Sequence, residues 1–327
     1  MRLATFRTLG GVDTVGVVEG DQLHPFPTWL TMLDVVGGGL DYARELAAKA
    51  RQADGVPVSA VQLLAPLRPP SIRDFVTFEE HVEGVRRSVD GASGVPEAWY
   101  DAPTFYFTNP HSVLGDGDVV EFPSASRARD FELEVAVVVG REGRSLDAEQ
   151  ASAAIFGYVV LNDWSARDLQ SREMQVGLGP AKGKDFANTL GPWIVTADEM
   201  DAYKDGDGFL QLRCSVEVNG ELVGHDLLSN MGWSFETMIA YASRDSRVLP
   251  GDVLGSGTTG NGGCLAELWG LRGERTPPPL VDGDVVTVTV EGIGALTNRV
   301  GTAPEPPALP AFRAPSRDRD RTAMFPA

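Results

Sequence analysis

The chain has 327 residues, of which 28 are basic and 46 acidic, and its formal net charge is −18. So acidic a chain binds nucleic acid or an anionic membrane only through a strong local basic patch, and the sequence contains none. Its two cysteines provide neither a disulfide framework nor a cysteine-based zinc site. No stretch approaches the roughly 18 consecutive apolar residues of a membrane-spanning helix. We therefore expect a reduced, soluble, cytoplasmic protein whose partner is a small molecule.

The first 68 residues predict a small N-terminal α/β domain. Residues 3–9 and 14–19 are typical of two strands that flank a glycine-containing turn. Residues 41–51 predict a helix that begins after three consecutive glycines, because its apolar residues recur with helical spacing. Nothing in this part of the sequence indicates a chemical role.

A proline-rich stretch at residues 64–70 marks the end of this first unit, because proline is excluded from helix interiors. The main domain is predicted to span residues 69–303. Residues 304–327 predict a proline-rich C-terminal extension, which includes alternating Arg and Asp at 317–321. The sequence thus predicts three units of unequal size.

Two glutamates stand at the start of a predicted strand. Residues 130–140 end in a run of β-branched residues and a glycine. Side chains two residues apart in a strand point to the same face, so Glu132 and Glu134 project together. The residues after them are apolar, which places the pair at the edge of a core. The competing interpretation is a solvent-facing pair on an edge strand.

A third carboxylate follows the next apolar stretch. Residues 155–161 predict a second buried strand, and Asp163 comes directly after it. Neighbouring carboxylates repel one another unless a cation lies between them. Because the nearby sequence offers no Cys or His ligand, three convergent carboxylates suit a hard divalent cation. We expect Mg²⁺, with Ca²⁺ or Mn²⁺ as alternatives.

The motifs that follow are specific in combination. Residues 162–170 read N-D-W-S-A-R-D-L-Q, residues 183–186 read G-K-D-F, and residues 191–193 read G-P-W. Together with the paired glutamates, their order resembles the fumarylacetoacetate hydrolase family over roughly residues 72–300. The resemblance implies an α+β, β-rich fold in which a mixed β-roll catalytic domain follows the small N-terminal domain.

The resemblance also implies a role for residues upstream of the glutamates. Asp74 and His81 match the family's pattern of a metal-binding aspartate followed by a catalytic histidine. Taken alone, one of four histidines is more often a packed or surface residue than a catalytic one. Residues 88–103 form a loop rich in Gly and Ala, and loops of that length are often lids or binding loops.

Further positions match substrate-contacting residues of the family. Tyr106 lies in an aromatic strand at residues 105–110, although most of these aromatic side chains are expected in the core. Gly257 and Thr258 match a family loop whose threonine contacts the substrate carboxylate. A glycine-rich loop without a binding role is the competing interpretation.

Three polar residues complete the predicted catalytic set. Arg167 and Lys184 are cations expected to hold the substrate carboxylate or a developing alkoxide. Gln170 lies three residues after Arg167, so a helix would place both on one face. The alternative for the two cations is a structural ion pair with a neighbouring acid. The acids considered are Asp168, Glu173 and Asp185.

The sequence departs from the family where a glutamate normally orients the catalytic histidine. Fumarylacetoacetases carry this glutamate in the glycine-rich loop, where this chain has Thr259 and Asn261. Smaller bacterial members place it three residues after the histidine, where this chain has Gly84. The nearby acids are Glu79, Glu80 and Glu83, and the sequence does not choose among them. The partner of His81 is therefore unassigned.

The resemblance implies a metal-dependent hydrolase that cleaves a C–C bond of a 1,3-diketo acid such as an acylpyruvate or fumarylacetoacetate. His81 would take a proton from water, and a chelated cation would polarise the carbonyl. The first alternative uses the same site as an oxo-acid decarboxylase, hydratase or tautomerase, for example on oxaloacetate. A non-catalytic binding protein on the same fold is the second. The expected partners are a small anionic oxo acid and a second copy of the chain in a homodimer.

Overall fold

The computed structural model describes residues 1–8 and 10–312, and this part of the chain forms 19 strands and seven α-helices. The strands are β1 Arg2–Arg7, β2 Asp13–Glu19, β3 Gln22–Pro25, β4 Val56–Pro57, β5 Gln62–Leu64, β6 Ile72–Phe75, β7 Phe105–Thr108, β8 Val113–Leu114, β9 Val119–Phe122, β10 Arg129–Asp130, β11 Leu133–Val139, β12 Ile155–Asp163, β13 Ser165–Ala166, β14 Asn188–Thr196, β15 Arg213–Val218, β16 Glu221–Leu227, β17 Val253–Gly255, β18 Val285–Val290 and β19 Gly294–Thr302. The helices are α1 Met32–Ala50, α2 Glu79–Val85, α3 Ala148–Ser152, α4 Arg167–Met174, α5 Ala197–Met200, α6 Phe235–Ser243 and α7 Leu265–Arg272. The predicted Arg/Asp run at 317–321 lies outside the described residues.

The predicted β-rich α+β class is confirmed, and local signals account for much of it. The alternating residues after the turn at Gly283 form β18, and the Asn219-Gly220 pair forms the turn between β15 and β16. Both turn residues have positive φ, 54° and 82°, as a type I′ hairpin requires. Within the described residues, no helix combines the length and the apolar character needed to cross a membrane.

The strands form two main sheets and one short pair. The larger sheet has 12 strands, and its main path runs β4-β3-β2-β1-β14-β12-β11-β17-β6-β7. The smaller sheet runs β16-β15-β18-β19-β9, and β10 pairs with β13. Strand β1 pairs with β14, so the N-terminal strands continue the sheet that carries the acidic motifs. The predicted boundary at residue 68 is therefore not a break in the sheet.

Helix α1 differs from its prediction. It begins at Met32 rather than near residue 41, because Thr31 and Asp34 form a capping box at its start. The three glycines lie inside this helix instead of before it, and Gly39 has φ 81°. That conformation suits glycine and produces a kink between two helical segments.

The central strand β11 is buried on both faces. Leu133 and Val135 face one hydrophobic cluster, which they share with residues of the smaller sheet. Ala136 and Val138 face a second cluster, which includes the buried side of α1. This alternation follows from the period of two residues in a strand. At about 1.5–3 kcal/mol for each large apolar side chain, burial holds the sheet firmly between its two covering layers.

Candidate metal centre and active site

The α1-facing side of the large sheet changes from apolar to acidic at one end. On β6, Ile72 belongs to the second hydrophobic cluster and Asp74 follows two residues later on the same face. On β12, Leu161 belongs to the same cluster and Asp163 follows in the same way. On β11, Ala136 is preceded by Glu134. Neighbouring strands therefore bring carboxylates to one place.

Four carboxylates meet at this end of the sheet. Asp74, Glu132, Glu134 and Asp163 each offer an oxygen, and these oxygens lie within 4.8 Å of one another. The side chains are buried, with 3%, 3%, 0% and 0% of their residue surface exposed, respectively. The alternative of a solvent-facing pair of glutamates is therefore wrong. Glu132 lies just before β11, and its backbone N–H donates to Asn162 Oδ1 at 2.9 Å.

A glycine beside the cluster leaves room for it. Gly255 on β17 lies directly opposite Asp74 on β6 and Ala136 on β11. A Cβ atom at Gly255 would lie 2.7 Å from Asp74 Oδ1 and 2.7 Å from Glu134 Oε2. Any other residue would therefore push into the carboxylate oxygens. No pattern in the sequence indicated a role for this glycine.

Two buried cations neutralise one half of the cluster. Lys184 Nζ donates to Glu132 Oε2 and, at 2.6 Å, to Asp163 Oδ2. Arg167 Nη2 donates to Glu132 Oε1 at 2.7 Å. Burial by itself raises the pKa of Glu132, but these two cations outweigh it and hold that pKa below its usual value.

The predicted alternative partners of the two cations are wrong. Asp168 accepts from Ser126 and from the Arg127 backbone, and Lys182 pairs with Asp185. The Glu173 carboxylate accepts backbone N–H groups of residues 181 and 183. Arg167 and Lys184 are instead bound to carboxylates of the cluster itself, so their first role here is to place those carboxylates.

The other half of the cluster has no such counter-charge. In the described part of the chain, no Lys or Arg forms an ion pair with Asp74 or Glu134. Burial and the neighbouring acids raise the pKa of both carboxyl groups well above the usual range. Asp74 Oδ1 and Asp163 Oδ1 are also buried without a hydrogen-bond partner among the described residues. These unpaired oxygens, beside the space that Gly255 preserves, fit a hard divalent cation.

The predicted substrate residues lie against the cluster. Tyr106 donates its hydroxyl to Asp163 Oδ2 at 2.5 Å, and burial raises the pKa of this phenol well above its usual value. Gly257 N–H donates to Glu134 Oε2 at 3.2 Å, and Thr258 Oγ1 lies 3.5 Å from Glu134 Oε1. Their roles toward a substrate stay predictions. The nearby aromatic Phe107 is 63% exposed and so lies outside the core, whereas Phe105 packs against it.

Gln170 lies where helical spacing predicts. It is three residues after Arg167 on α4, and its Oε1 accepts a hydrogen bond from Arg167 Nη1 at 3.1 Å. This contact uses the amide oxygen, so the amide N–H₂ is the part of Gln170 that is able to donate to a ligand.

His81 lies beside the cluster on α2. Its Nε2 is 4.0 Å from Glu132 Oε1, and only 7% of the residue is exposed. Burial lowers the pKa of His81 to about 4, so the imidazole is neutral at physiological pH. Its contacts with acids are therefore not ion pairs. A neutral imidazole next to a metal-binding carboxylate is able to accept a proton from a nearby water.

Two residues that were not predicted from the sequence face His81 Nδ1: Cys264, whose Sγ lies at 3.6 Å, and the acid Glu267. Glu267 on α7 places Oε2 at 3.9 Å from His81 Nδ1, and this oxygen is buried without a hydrogen-bond partner among the described residues. Its Oε1 accepts the Gly262 N–H at 3.1 Å. Burial raises the pKa of Glu267 to about 7. None of Glu79, Glu80 and Glu83 pairs with His81 among the described contacts.

Gly84 explains how Glu267 reaches His81. A Cβ atom at Gly84 would lie 2.5 Å from Glu267 Cγ. The absence of a side chain three residues after the histidine therefore makes room for a carboxylate from another helix. A signal was present in the sequence, because Glu267 is the only charged residue between Cys264 and Trp269. An acid inside such an apolar helical run is rarely buried without a partner or a role.

Asp130 is a further residue that the sequence analysis did not assign. It is fully buried, and its carboxylate accepts the backbone N–H groups of Leu265 and Ala266 at 2.7 and 3.0 Å. It also accepts from Arg167 Nε at 2.8 Å. Asp130 thereby joins the N-terminus of α7, which carries Glu267, to the cation that holds Glu132.

Comparison with known proteins agrees with this arrangement. The sequence model described as "Fumarylacetoacetate (FAA) hydrolase C-terminal" matches residues 71–301. The chain therefore belongs to the fumarylacetoacetate hydrolase family, an enzyme family, as its motifs predicted.

Individual relatives carry different activities in their names. The chain is 31% identical over 295 residues to the mitochondrial oxaloacetate tautomerase Fahd2a of Rattus norvegicus, covering 87% of this chain and 84% of that protein. It is 28% identical over 267 residues to the oxaloacetate tautomerase YisK of Bacillus subtilis, covering 80% and 82%. Among solved structures, a fumarylacetoacetate hydrolase from Exiguobacterium antarcticum superposes with a TM-score of 0.73 at 27% identity, covering 93% of this chain and 100% of that one.

Proposed function

We propose that the protein is a divalent-cation-dependent hydrolase that cleaves a C–C bond of a 1,3-diketo acid of the acylpyruvate or fumarylacetoacetate type. The observation that carries the proposal is the position of His81 between two carboxylates. Its Nε2 faces Glu132 of the metal cluster at 4.0 Å, and its Nδ1 faces Glu267 at 3.9 Å. A base held in this way is directed at the space beside the cluster, where a hydrolytic water is needed.

The residues divide the reaction into proton transfer and charge stabilisation. His81 accepts a proton from water at Nε2, and the Glu267 carboxylate holds the Nδ1–H tautomer and stabilises the imidazolium that forms. The hydroxide adds to the acyl carbonyl. The bond between that carbon and the methylene carbon then breaks, and its electron pair passes into the enolate of the pyruvate portion. Protonation of the methylene carbon gives a carboxylic acid and pyruvate, so one water is consumed for each bond cleaved.

The cluster supplies the electrophilic part of the site. Asp74, Glu132, Glu134 and Asp163 would hold the cation, for which we propose Mg²⁺, and the cation would polarise the two oxygens of the diketone and stabilise the enolate. Lys184 uses two N–H donors on Glu132 and Asp163, which leaves a third for an anionic substrate group. The oxo acid's carboxylate is the group that this donor suits.

A second candidate activity is keto–enol tautomerisation of oxaloacetate. It is favoured by the similarity to the rat and Bacillus subtilis proteins, which carry that activity in their names. It would use the same cation site and the same base, with the proton taken from carbon or from the enol hydroxyl instead of from water. Decarboxylation of oxaloacetate is a third use of the same residues.

Product analysis separates these activities. Purified protein loaded with Mg²⁺ is incubated with acetylpyruvate, fumarylacetoacetate or oxaloacetate, and the products are followed by proton NMR while enol absorbance is recorded. Hydrolysis yields a carboxylic acid and pyruvate (or acetoacetate from fumarylacetoacetate). Tautomerisation changes only the keto–enol ratio, and decarboxylation of oxaloacetate releases CO₂ with pyruvate.

The outcomes are distinct. Mg²⁺-dependent hydrolysis of a diketo acid supports the main proposal. Rapid enol–keto exchange of oxaloacetate without hydrolysis of any diketo acid would replace it with the tautomerase. Mg²⁺ binding without turnover of the whole panel would support a non-catalytic binding protein. Glu80→Gln is the matched control for variants of the site residues. Glu80 lies on the same helix as His81 but belongs neither to the carboxylate cluster nor to the His81–Glu267 pair.

We also propose that the protein acts in the cytoplasm and forms a homodimer. Family resemblance supports the dimer. Sedimentation velocity at micromolar concentration provides the test, and a monomer at that concentration would contradict this part of the proposal.

A further inference from the structure

A cavity of about 320 Å³ lies next to His81. It is called the Trp99 pocket here, and the residues that define it are Val76, His81, Val82, Val85, Trp99 and Thr104. His81 belongs both to this pocket and to the edge of the carboxylate cluster. The pocket and the cluster are therefore neighbours on either side of one side chain.

The chain brings the pocket close to the cluster. Asp74 on β6 lies opposite Tyr106 on β7 in an antiparallel pair. Val76 and Thr104 come two residues beyond them, just past the ends of the two strands. Two residues of chain span at most about 7 Å, so the pocket begins near the proposed cation site.

The walls of the pocket are mainly apolar, whereas the cluster is charged. Trp99 is held by its indole N–H, which donates to the Val76 carbonyl at 2.6 Å, so its ring presents carbon to the cavity. Among the described residues that line the pocket, Arg86 is the only one with a permanent charge. Its guanidinium donates to the Gly94 carbonyl and so fastens the 88–103 segment.

The acids near the pocket are also engaged. Glu79 accepts the Tyr100 hydroxyl, and Glu83 accepts a hydrogen bond from Arg87. Trp99 belongs to residues 88–103, which were predicted as a lid or binding loop, so this segment forms one wall of the pocket.

We propose that the acyl portion of the substrate is apolar and occupies the Trp99 pocket. This inference rests on the proposed hydrolase and names its substrate class: acylpyruvates whose acyl group is an alkyl chain of about four to six carbons or a phenyl ring. A cavity of about 150 Å³ is enough to hold benzene, so 320 Å³ accommodates such a group. A second carboxylate on the acyl group would lose its hydration there, and Arg86, the one permanent cation among the described lining residues, already donates to the Gly94 carbonyl.

A substrate series tests the proposal. The specificity constant kcat/KM is measured for acetylpyruvate, butanoylpyruvate, hexanoylpyruvate and benzoylpyruvate, with fumarylpyruvate as the carboxylated counterpart of the butanoyl compound. We expect kcat/KM to rise roughly fourfold for each methylene until the pocket is filled. Fumarylpyruvate should fall below butanoylpyruvate. The reverse order, with fumarylpyruvate preferred, would overturn the inference.

Two variants of Thr104 test whether a positive charge in the pocket changes the substrate preference. Thr104 is exposed at the pocket wall, so Thr104→Arg adds a cation with little risk to folding, and Thr104→Gln adds a neutral side chain as the control. In Thr104→Arg, the ratio of fumarylpyruvate to butanoylpyruvate turnover should rise about tenfold or more, as expected for a hydrogen bond to a charged group. Thr104→Gln should leave the ratio close to that of the unmodified protein. Equal ratios in both variants would show that the acyl group lies elsewhere.

Binding measurements keep this test separate from the proposed reaction. Calorimetry on Mg²⁺-loaded protein gives Kd for pyruvate, butanoylpyruvate and fumarylpyruvate without requiring turnover. If no diketo acid is hydrolysed, the proposed function fails. The pocket assignment then stands only if butanoylpyruvate binds more tightly than both other ligands, and it fails if that order is absent.

Discussion

The proposed active site has two halves that lie side by side and treat charge in opposite ways. The first half is the carboxylate cluster, in which Glu132 and Asp163 are bound to Lys184 and Arg167. The second half is the pair His81 and Glu267, which has no bound cation among the described contacts. Both halves are buried, and both are built mainly from ionisable side chains.

Two glutamates that contact the same histidine show what the difference means. Glu132 and Glu267 are 3% and 0% exposed. Burial raises the pKa of each, but Lys184 and Arg167 reverse the effect at Glu132, whereas the pKa of Glu267 stays at about 7. For these two glutamates, counter-charge rather than burial decides the direction of the pKa shift. The cluster suits charge stabilisation, and the His81–Glu267 pair suits proton transfer.

The largest expected effect separates the two halves directly. His81→Ala should lower turnover by roughly 10²–10⁴, the usual contribution of a general base. Metal affinity should stay near that of the unmodified protein, because the proposed ligands are carboxylates. Turnover is measured by product NMR, and metal affinity is measured by calorimetry.

Acid pH provides a second view of the same residue. The pKa of His81 is lowered to about 4, so its imidazole remains an available base down to about pH 5 and is lost only below that.

Two outcomes of His81→Ala would contradict its role as the base. A loss of metal binding would make His81 a ligand or a support of the cluster. Unchanged turnover would remove His81 from the mechanism altogether.

The next prediction concerns the half of the cluster without counter-charge. Glu134→Gln should weaken Mg²⁺ binding on the order of 100-fold or more, above the 10–100-fold typical of a lost second-shell contact. The fold should persist, because no buried cation depends on Glu134 among the described ion pairs. Calorimetry gives the affinity, and thermal unfolding checks the fold. Intact Mg²⁺ binding would show that this glutamate is not a ligand.

Gly255→Ala tests the space rather than the charge. The added methyl would lie 2.7 Å from oxygens of Asp74 and Glu134, so the cluster must open to accept it. We expect Mg²⁺ affinity to fall by roughly 10–100-fold, as when ligand positions are disturbed but the ligands are kept. Gly206→Ala is the control for the general cost of replacing a glycine, because a Cβ atom there would meet nothing within 4 Å. Equal affinities in both variants would remove Gly255 from the site.

A further variant tests the His81–Glu267 pair. Glu267→Gln keeps the size of the side chain and its hydrogen bond from Gly262 but removes the charge that faces His81 Nδ1. Turnover should fall roughly 10–100-fold, less than for His81→Ala, because the base remains while its imidazolium loses support. KM and Mg²⁺ affinity should change little. A loss confined to KM would assign Glu267 to substrate binding instead of orientation of the base.

The sequence predicted the part of this site that local patterns encode. Glu132 and Glu134 lie at the start of one apolar strand and Asp163 lies at the end of the next, so strand alternation brings their side chains together. Glu267 was missed because its relation to His81 depends on the packing of α7 against α2, two helices far apart in the chain. No periodicity within either helix reveals that contact.

The same limit applies to the sheet and to the cations. The pairing of β1 with β14 joins distant segments, so the sequence indicated a separate N-terminal unit where the structure has one continuous sheet. The acids considered as partners of Arg167 and Lys184 were close in sequence, whereas the actual partners Glu132 and Asp163 arrive from other strands. Charge pairs set by tertiary packing are not visible in local spacing.

The smallest expected effect is the dependence of Mg²⁺ affinity on pH. Burial and the neighbouring acids raise the pKa of Asp74 and Glu134, which favours retention of a proton in their half of the cluster when no cation is bound. A cation requires the deprotonated carboxylates, so binding must release that proton and affinity must rise with pH. One released proton corresponds to at most about a tenfold gain in affinity per pH unit. Calorimetry in two buffers of different ionisation enthalpy measures the number of protons released on Mg²⁺ binding. Glu134→Gln should release fewer protons, because only Asp74 of this pair of acids then titrates. A release that is the same in both proteins would show that the proton comes from another group, and the contrast between the two halves of the cluster would then lose its electrostatic basis.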